Sequence, residues 1–155
     1  MIQRIQSVYL FLTTLLSIFF LNGSYLNFIN KTGAITKLTF KGIEEGSSTQ
    51  GFVLIERLLP LSIVLLLIIA ISLLTIFFFK NRRVQIWLSA LLIGLVSFLI
   101  LACGHGSYLI MTRYSAEIVL GIKIALPFLM LIFSILAYRA IRKDDNMVKS
   151  YDRLR

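Results

Sequence analysis

One cysteine, one histidine, two prolines and 7 acidic residues are all that this chain of 155 residues holds of those types. Each scarcity closes off a class of function. A lone Cys103 cannot form an internal disulfide, and it leaves the redox compartment open. Cys103 and His105 together fall short of the three or four ligands a zinc site needs. Two positions apart on one segment, they rarely reach the facing geometry of a catalytic thiol–imidazole pair, so an inert interfacial turn is the reading. The carboxylates are no more helpful to chemistry. Glu44 and Glu45 lie in a polar stretch, Glu56 and Glu117 flank apolar runs, and Asp144, Asp145 and Asp152 sit in the charged C-terminal segment. The sequence has no Gly-rich phosphate loop, no Ser–His–Asp set and no paired carboxylates within an apolar run. Neither an enzyme nor a cofactor is expected.

What is present is apolar length. Hydrophobic residues make up 58% of the chain and mean hydropathy is +0.89, against roughly 45–50% apolar residues in a soluble domain. The chain reads as an all-α membrane protein, a single domain over residues 1–155, with four transmembrane helices at about 5–26, 58–79, 84–103 and 118–138. Residues 27–57 form the outer loop and residues 139–155 a cytoplasmic amphipathic tail. Only Arg4 precedes the first apolar run, and no small-residue cleavage site closes it, so a retained helix is expected rather than a signal peptide.

Within that frame the polar residues define details. Thr13, Thr14 and Ser17 either bond their own helix carbonyls or mark a helix–helix contact. Residues 25–29 and 35–41 alternate like strands around a turn at Asn30-Lys31-Thr32-Gly33, which predicts a small periplasmic β-hairpin between helices one and two. Residues 44–51 read as a flexible loop. Pro60 falls in the first turn of its span, where its missing N–H costs little. Lys80-Asn81-Arg82-Arg83 leaves room only for an antiparallel helical hairpin. Ala90 and Gly94 have the spacing of a close helix contact. Gly104-His105-Gly106-Ser107-Tyr108 is expected to end the third span. Pro127 is expected to disturb the Lys123 carbonyl and kink the fourth. Asp144 or Asp145 caps a short tail helix whose Met147, Val148, Tyr151 and Leu154 share one face.

The net charge of +9 follows the membrane. Arg4, the 80–83 turn and the tail carry most of the basic residues, and by the positive-inside rule both termini are cytoplasmic. The two ends of the chain also carry a resemblance. Met1-Ile2-Gln3-Arg4-Ile5-Gln6-Ser7-Val8-Tyr9-Leu10, Leu126-Pro127, Arg139-Ala140-Ile141-Arg142-Lys143-Asp144-Asp145 and Ser150-Tyr151-Asp152-Arg153-Leu154-Arg155 resemble the opening and ending of an uncharacterised Bacteroidota family of small four-span inner-membrane proteins, domain of unknown function forty-two ninety-three. The middle matches in hydropathy alone. The resemblance implies the inner membrane of a Gram-negative cell, with outer loops facing the periplasm, and brings no catalytic residues.

Lys123 is a charged residue just inside the fourth span, and such residues are functional suspects. Three roles are open to it: snorkelling to the nearby interface, an ion pair with Glu117 or Glu56, or transport chemistry. The tail residues Arg139, Arg142, Lys143, Lys149, Tyr151, Arg153, Leu154 and Arg155 are candidates for docking to anionic lipid, to a protein partner or, less favoured, to ribosomal RNA. The functional expectation is a non-enzymatic accessory subunit of an inner-membrane assembly, protein-export or insertion machinery being one candidate host, docked through the basic tail and the periplasmic loop. A small carrier or lipid-binding membrane protein is the alternative.

Overall fold

In the computed structural model, residues 3–29, 35–39, 41–47, 51–57, 59–79, 81–114, 117–119 and 121–153 are described. Four helices form the bundle: α1 (Gln3–Leu21), α2 (Leu59–Phe77), α3 (Arg82–Tyr114) and α4 (Ala125–Arg153). Three of them contain segments long and apolar enough to cross a membrane, Leu59–Phe77, Arg82–Thr112 and Ile122–Val148, and Ile5–Leu21 is a shorter apolar helix.

Apart from Thr14, Leu126 and Pro127, the buried positions of every helix follow one spacing, alternating steps of three and four. They are Gln6, Leu10, Thr13, Ser17 and Phe20 in α1, and Leu61, Leu65, Ile68, Ser72 and Thr75 in α2. In α3 they are Gln85, Ser89, Leu92, Val96, Leu99, Cys103, Gly106 and Ile110, and in α4 Met130, Ser134, Ala137, Ile141 and Asp144. A period of 3.5 is the seam of a left-handed bundle. Small and hydroxyl residues fill much of it, because lipid-facing surface is already apolar and close backbone packing distinguishes the inside. Thr13, Thr14 and Ser17 bond the carbonyls of Tyr9, Leu10 and Thr13 at 2.8–2.9 Å. Thr14 also does what the contact reading asked: its hydroxyl lies 2.7 Å from that of Ser72, tying α1 to α2.

The all-α expectation with a small hairpin is overturned. The loop between α1 and α2 builds four strands, β1 (Ser24–Ile29), β2 (Ile35–Thr39), β3 (Gly42–Ser47) and β4 (Gly51–Arg57). A fifth, β5 (Glu117–Val119), arrives from the α3–α4 connection, giving an antiparallel sheet in the order β4-β3-β2-β1-β5. The supposed flexible loop is β3 with the start of β4: Glu44 stands opposite Lys37, a favourable cross-strand pairing of charges. Gly42 makes the β3–β4 approach possible, since a Cβ there would strike the Glu56 carbonyl. One face of the sheet packs down through Leu26, Phe28, Leu38 and Ile43, all buried.

Other expectations change with it. Gly104–Gly106 does not end α3, which runs 33 residues, about 50 Å at 1.5 Å per residue, well beyond the about 30 Å of hydrocarbon. Its extension underlies the sheet, and a Cβ on Gly106 would lie 3.5 Å from Leu38. Gly106 therefore serves close approach and not helix termination, while a Cβ on Gly104 would meet nothing. Ala90 and Gly94 face outward; a Cβ on Gly94 would touch nothing. The expected start of the fourth span is instead β5 and a 3₁₀ turn at Ile122–Ile124. Pro127 thus lies in the first turn of α4, where no kink is needed. The tail is no separate helix: α4 continues unbroken through Asp144 and Asp145, so neither is a cap. Phe40, in the second expected strand, lies outside the described residues.

Candidate functional site

The charged end of α4 has two faces. Arg139, Arg142 and Lys143 lie on the outer one, exposed, and flank a shallow groove of about 540 Å³ with Asn146 and Met147. Arg142 donates to the Tyr138 hydroxyl at 3.2 Å, with its guanidinium 5.9 Å from that ring centroid. Arg139 and Lys143 also edge a cleft between α1 and α4 beside Ile5 and Tyr9. Lys149, Tyr151 and Arg153 occupy the last turns of α4, while Leu154 and Arg155 lie outside the described residues. Among the docking candidates whose side chains are described, Arg139, Arg142 and Lys143 form one exposed basic patch.

The inner face carries what sequence reasoning missed. Asp144 continues the buried seam past Ile141 and is only 7% exposed. Gln6, near the start of α1, donates to its Oδ2, and reaches the Ala140 carbonyl at 3.3 Å. Arg82, in the first turn of α3, donates to the Asp144 carbonyl at 2.9 Å. Gln85 donates to the Thr75 carbonyl at 3.3 Å, holding the α2–α3 hairpin shut. Asp144 Oδ1 is buried and meets no donor among the described residues. These side chains line a half-open cavity of about 490 Å³, whose apolar wall is Ile76, Phe77, Phe79 and Ile141. One carboxylate, one guanidinium and two amides can hold a polar group by charge and hydrogen bonds. They contain no activated nucleophile. A signal for Asp144 does exist in the sequence: it lies three residues beyond Ile141 on the 3.5-period seam.

Lys123 is at the opposite end of the bundle, half-buried in the 3₁₀ turn. Its Nζ donates to the Asn22 carbonyl just past α1 and stands 5.5 Å from the Phe19 ring centroid. Gly23 follows at φ +79, the left-handed conformation that ends helices. A cation there satisfies an otherwise unpaired carbonyl and the negative end of the α1 dipole. Beside it is a small apolar pocket of about 210 Å³, lined in part by Cys103. His105 is on the exposed side of α3 while Cys103 is buried in the seam, so the two do not form a common site.

No curated protein and no solved structure matches the chain. A family model does, over residues 2–154, and the chain thereby belongs to the family described as Domain of unknown function (DUF4293).

Proposed function

We propose that this protein is a non-enzymatic accessory subunit of an inner-membrane assembly, crossing the membrane four times with both termini in the cytoplasm. α1 pairs antiparallel with α4 from end to end: Gln6 meets Asp144 at one end and Asn22 meets Lys123 at the other. A helix matched in this way to a spanning partner crosses the same slab, and its 19 residues reach about 28 Å. Arg82, Arg83, Arg139, Arg142 and Lys143 share the end opposite the sheet, which supports a cytoplasmic assignment for that end and a periplasmic one for the sheet.

The observation that carries the docking role is β4. It is the outer edge of the sheet, so among the described residues one side of its backbone has no neighbouring strand, and Val53 is 69% exposed with Ile55 and Phe52 beside it. Soluble edges are usually blunted by charge or cover, and an apolar one invites an added strand. The basic patch of α4 supplies the second contact, on the other side of the membrane.

The test places a photo-crosslinking residue at Val53 and, separately, at Arg142 in the native host. Discrete adducts to the same membrane assembly from both positions support the proposal. Adducts to lipid alone at both positions overturn it. Topology is read in a Cys103→Ala background: Glu45→Cys should label with an impermeant maleimide in spheroplasts, and Asn146→Cys only after lysis. Labelling of both from one side refutes the four-span arrangement.

A further inference from the structure

We infer that the cleft between α1 and α4 at the charged end of the bundle seats an anionic phospholipid, its phosphate between Arg139 and Lys143 and one acyl chain along Tyr9 and Leu136. The inference requires the bundle to lie in a membrane, and does not require the docking role proposed above.

Arg139 and Lys143 are both exposed and stand one helical turn apart on α4. Two cations at that spacing repel each other. Neither has an acidic residue three or four positions away on α4 to offset the repulsion. Asp144, the residue after Lys143, turns inward to Gln6. Among the described residues, none that lines the cleft is acidic. One anion between the two cations removes their repulsion and meets guanidinium and ammonium donors together. A phosphate diester carries that charge, and its free oxygens suit the fork of an arginine.

The cleft has the polarity of a lipid. Its walls are Ile5 and Tyr9 of α1 and Leu136, Arg139, Ala140 and Lys143 of α4. On α4 these are positions i, i+3, i+4 and i+7, a single stripe of the helix. Leu136 lies seven residues from Lys143, about 10 Å nearer the middle of the bundle. Tyr9 is likewise one turn further in than Ile5. Tyr9 stacks on Phe133 with ring centroids 6.4 Å apart, which gives the deep end of the cleft a fixed aromatic wall. One turn beyond Leu136, Ile132 is 52% exposed and continues the apolar stripe inward. Charge thus sits where headgroups lie, and apolar surface where acyl chains lie. A soluble phosphate compound would use the first and leave the second uncovered. The volume, about 470 Å³, is within the usual range for small-molecule sites, roughly 300–1,000 Å³.

The same chemistry disfavours zwitterions. An ethanolamine or choline headgroup would bring its ammonium beside two cations, with no carboxylate among the described lining residues to receive it. A glycerol headgroup brings no second charge. Arg142 lines the neighbouring groove and not this cleft, so the lipid leaves it open to a protein partner.

Native mass spectrometry of the full chain, offered equimolar chain-matched glycerol, ethanolamine and choline phospholipids, reads the preference on unaltered protein. The glycerol lipid should be retained over both others. Arg139→Gln and Lys143→Gln should each reduce that preference about fivefold, the value of one basic residue beside anionic lipid. Arg83→Gln removes the same charge at the same end of the bundle, on α3 and outside the cleft lining, and should retain the preference. A glycerol phospholipid with a diazirine in its acyl chain then locates the seat: its adducts should concentrate within residues 5–9 and 136–143. Equal retention of the three lipids, an equal loss in Arg83→Gln, or adducts spread evenly over the outer faces of the four helices would overturn the inference. Displacement of the lipid by soluble glycerol phosphate at comparable concentration would overturn the lipid source. The crosslinks from Val53 and Arg142 seek protein adducts outside this cleft, so the two proposals fail separately.

Discussion

The bundle and the sheet bury different mixtures of residues. In the sheet, Leu26, Phe28, Leu38 and Ile43 point inward, while Lys37 and Glu44 sit toward the outside. In the helices the inside holds Thr13, Ser17, Ser72, Thr75, Ser89 and Ser134 beside Leu10, Leu65, Leu92 and Met130, and the outside holds Leu66, Leu91, Phe98 and Phe128. The sheet follows the rule for water, where apolar surface is what must be hidden. The bundle follows the rule for lipid, where apolar surface costs nothing outside and hydroxyls bonded to their own carbonyls permit close packing. The change of rule falls at the Asn22–Gly23 and Lys123 level, where α1 ends and the sheet begins. Interchanging residues between the two regions therefore has effects of predictable sign.

The largest break is within the sheet. Phe28→Ala removes a fully buried ring and should cost about 3–5 kcal/mol. The sheet packs on one end of the bundle, beyond the middle of the apolar helices, so the loss should appear as protease sensitivity between α1 and α2 with the helices still inserted. If the whole protein disappears instead, sheet and bundle fold as one unit and the contrast is weaker than drawn.

A lysine scan sharpens the contrast. Leu91 lies on the exposed side of α3 near the middle of its apolar part, and Leu91→Lys should oppose insertion by about 2.5–3.5 kcal/mol. Val53→Lys, at a position more exposed still, should change stability by no more than about 0.5 kcal/mol, because it meets water. The measurement is the inserted fraction by alkaline extraction, with thermal stability in detergent beside it. Equal tolerance at both positions would mean that the outer face of α3 is covered by a polar partner and not by lipid.

The same inversion explains what could be read from the residues and what could not. Apolar length located all four helices. The alternating pattern of residues 35–39 and the turn before them located β1 and β2. β3 was hidden because Glu44-Glu45-Gly46 has the composition of a loop, and its pairing partners come from elsewhere. β4 was hidden because Phe52-Val53-Leu54-Ile55 runs almost without a break into the second apolar run, and β5 because Ile118 and Val119 merge with the fourth. Gly104 and Gly106 read as a helix end, since the use of Gly106, room for Leu38, exists only once the sheet is in place. Among the site residues, Arg139, Arg142 and Lys143 were legible as a charge cluster. Asp144 was not, because a helix apolar on every side conceals its inner face from any search for hydrophobic periodicity. Small and polar residues at steps of three and four are the signal there, and they end on Gln6, Gln85 and Asp144.

The smallest expected effect tests that signal directly. The Thr14 and Ser72 hydroxyls lie within hydrogen-bond distance between α1 and α2, and each also lies within reach of a carbonyl of its own helix. With one proton apiece, the hydroxyl that donates across the interface gives up its own carbonyl. Ser72→Ala removes the interhelical bond together with the Ser72 contact to the Ile69 carbonyl, while the Thr14 hydroxyl keeps the Leu10 carbonyl as a partner. The cost should therefore be near the average for hydrogen bonds between membrane helices, about 0.6 kcal/mol. Thr14→Val alone should cost a similar amount, and the double variant no more than either plus a small packing term, since the shared bond is lost once. Thermal unfolding of the four proteins in one detergent measures the coupling. A coupling near zero would mean that the seam residues are chosen for size alone. A coupling several times larger would make this hydroxyl pair a fixed point of the bundle, and the sheet would no longer be the region most sensitive to a single buried side chain.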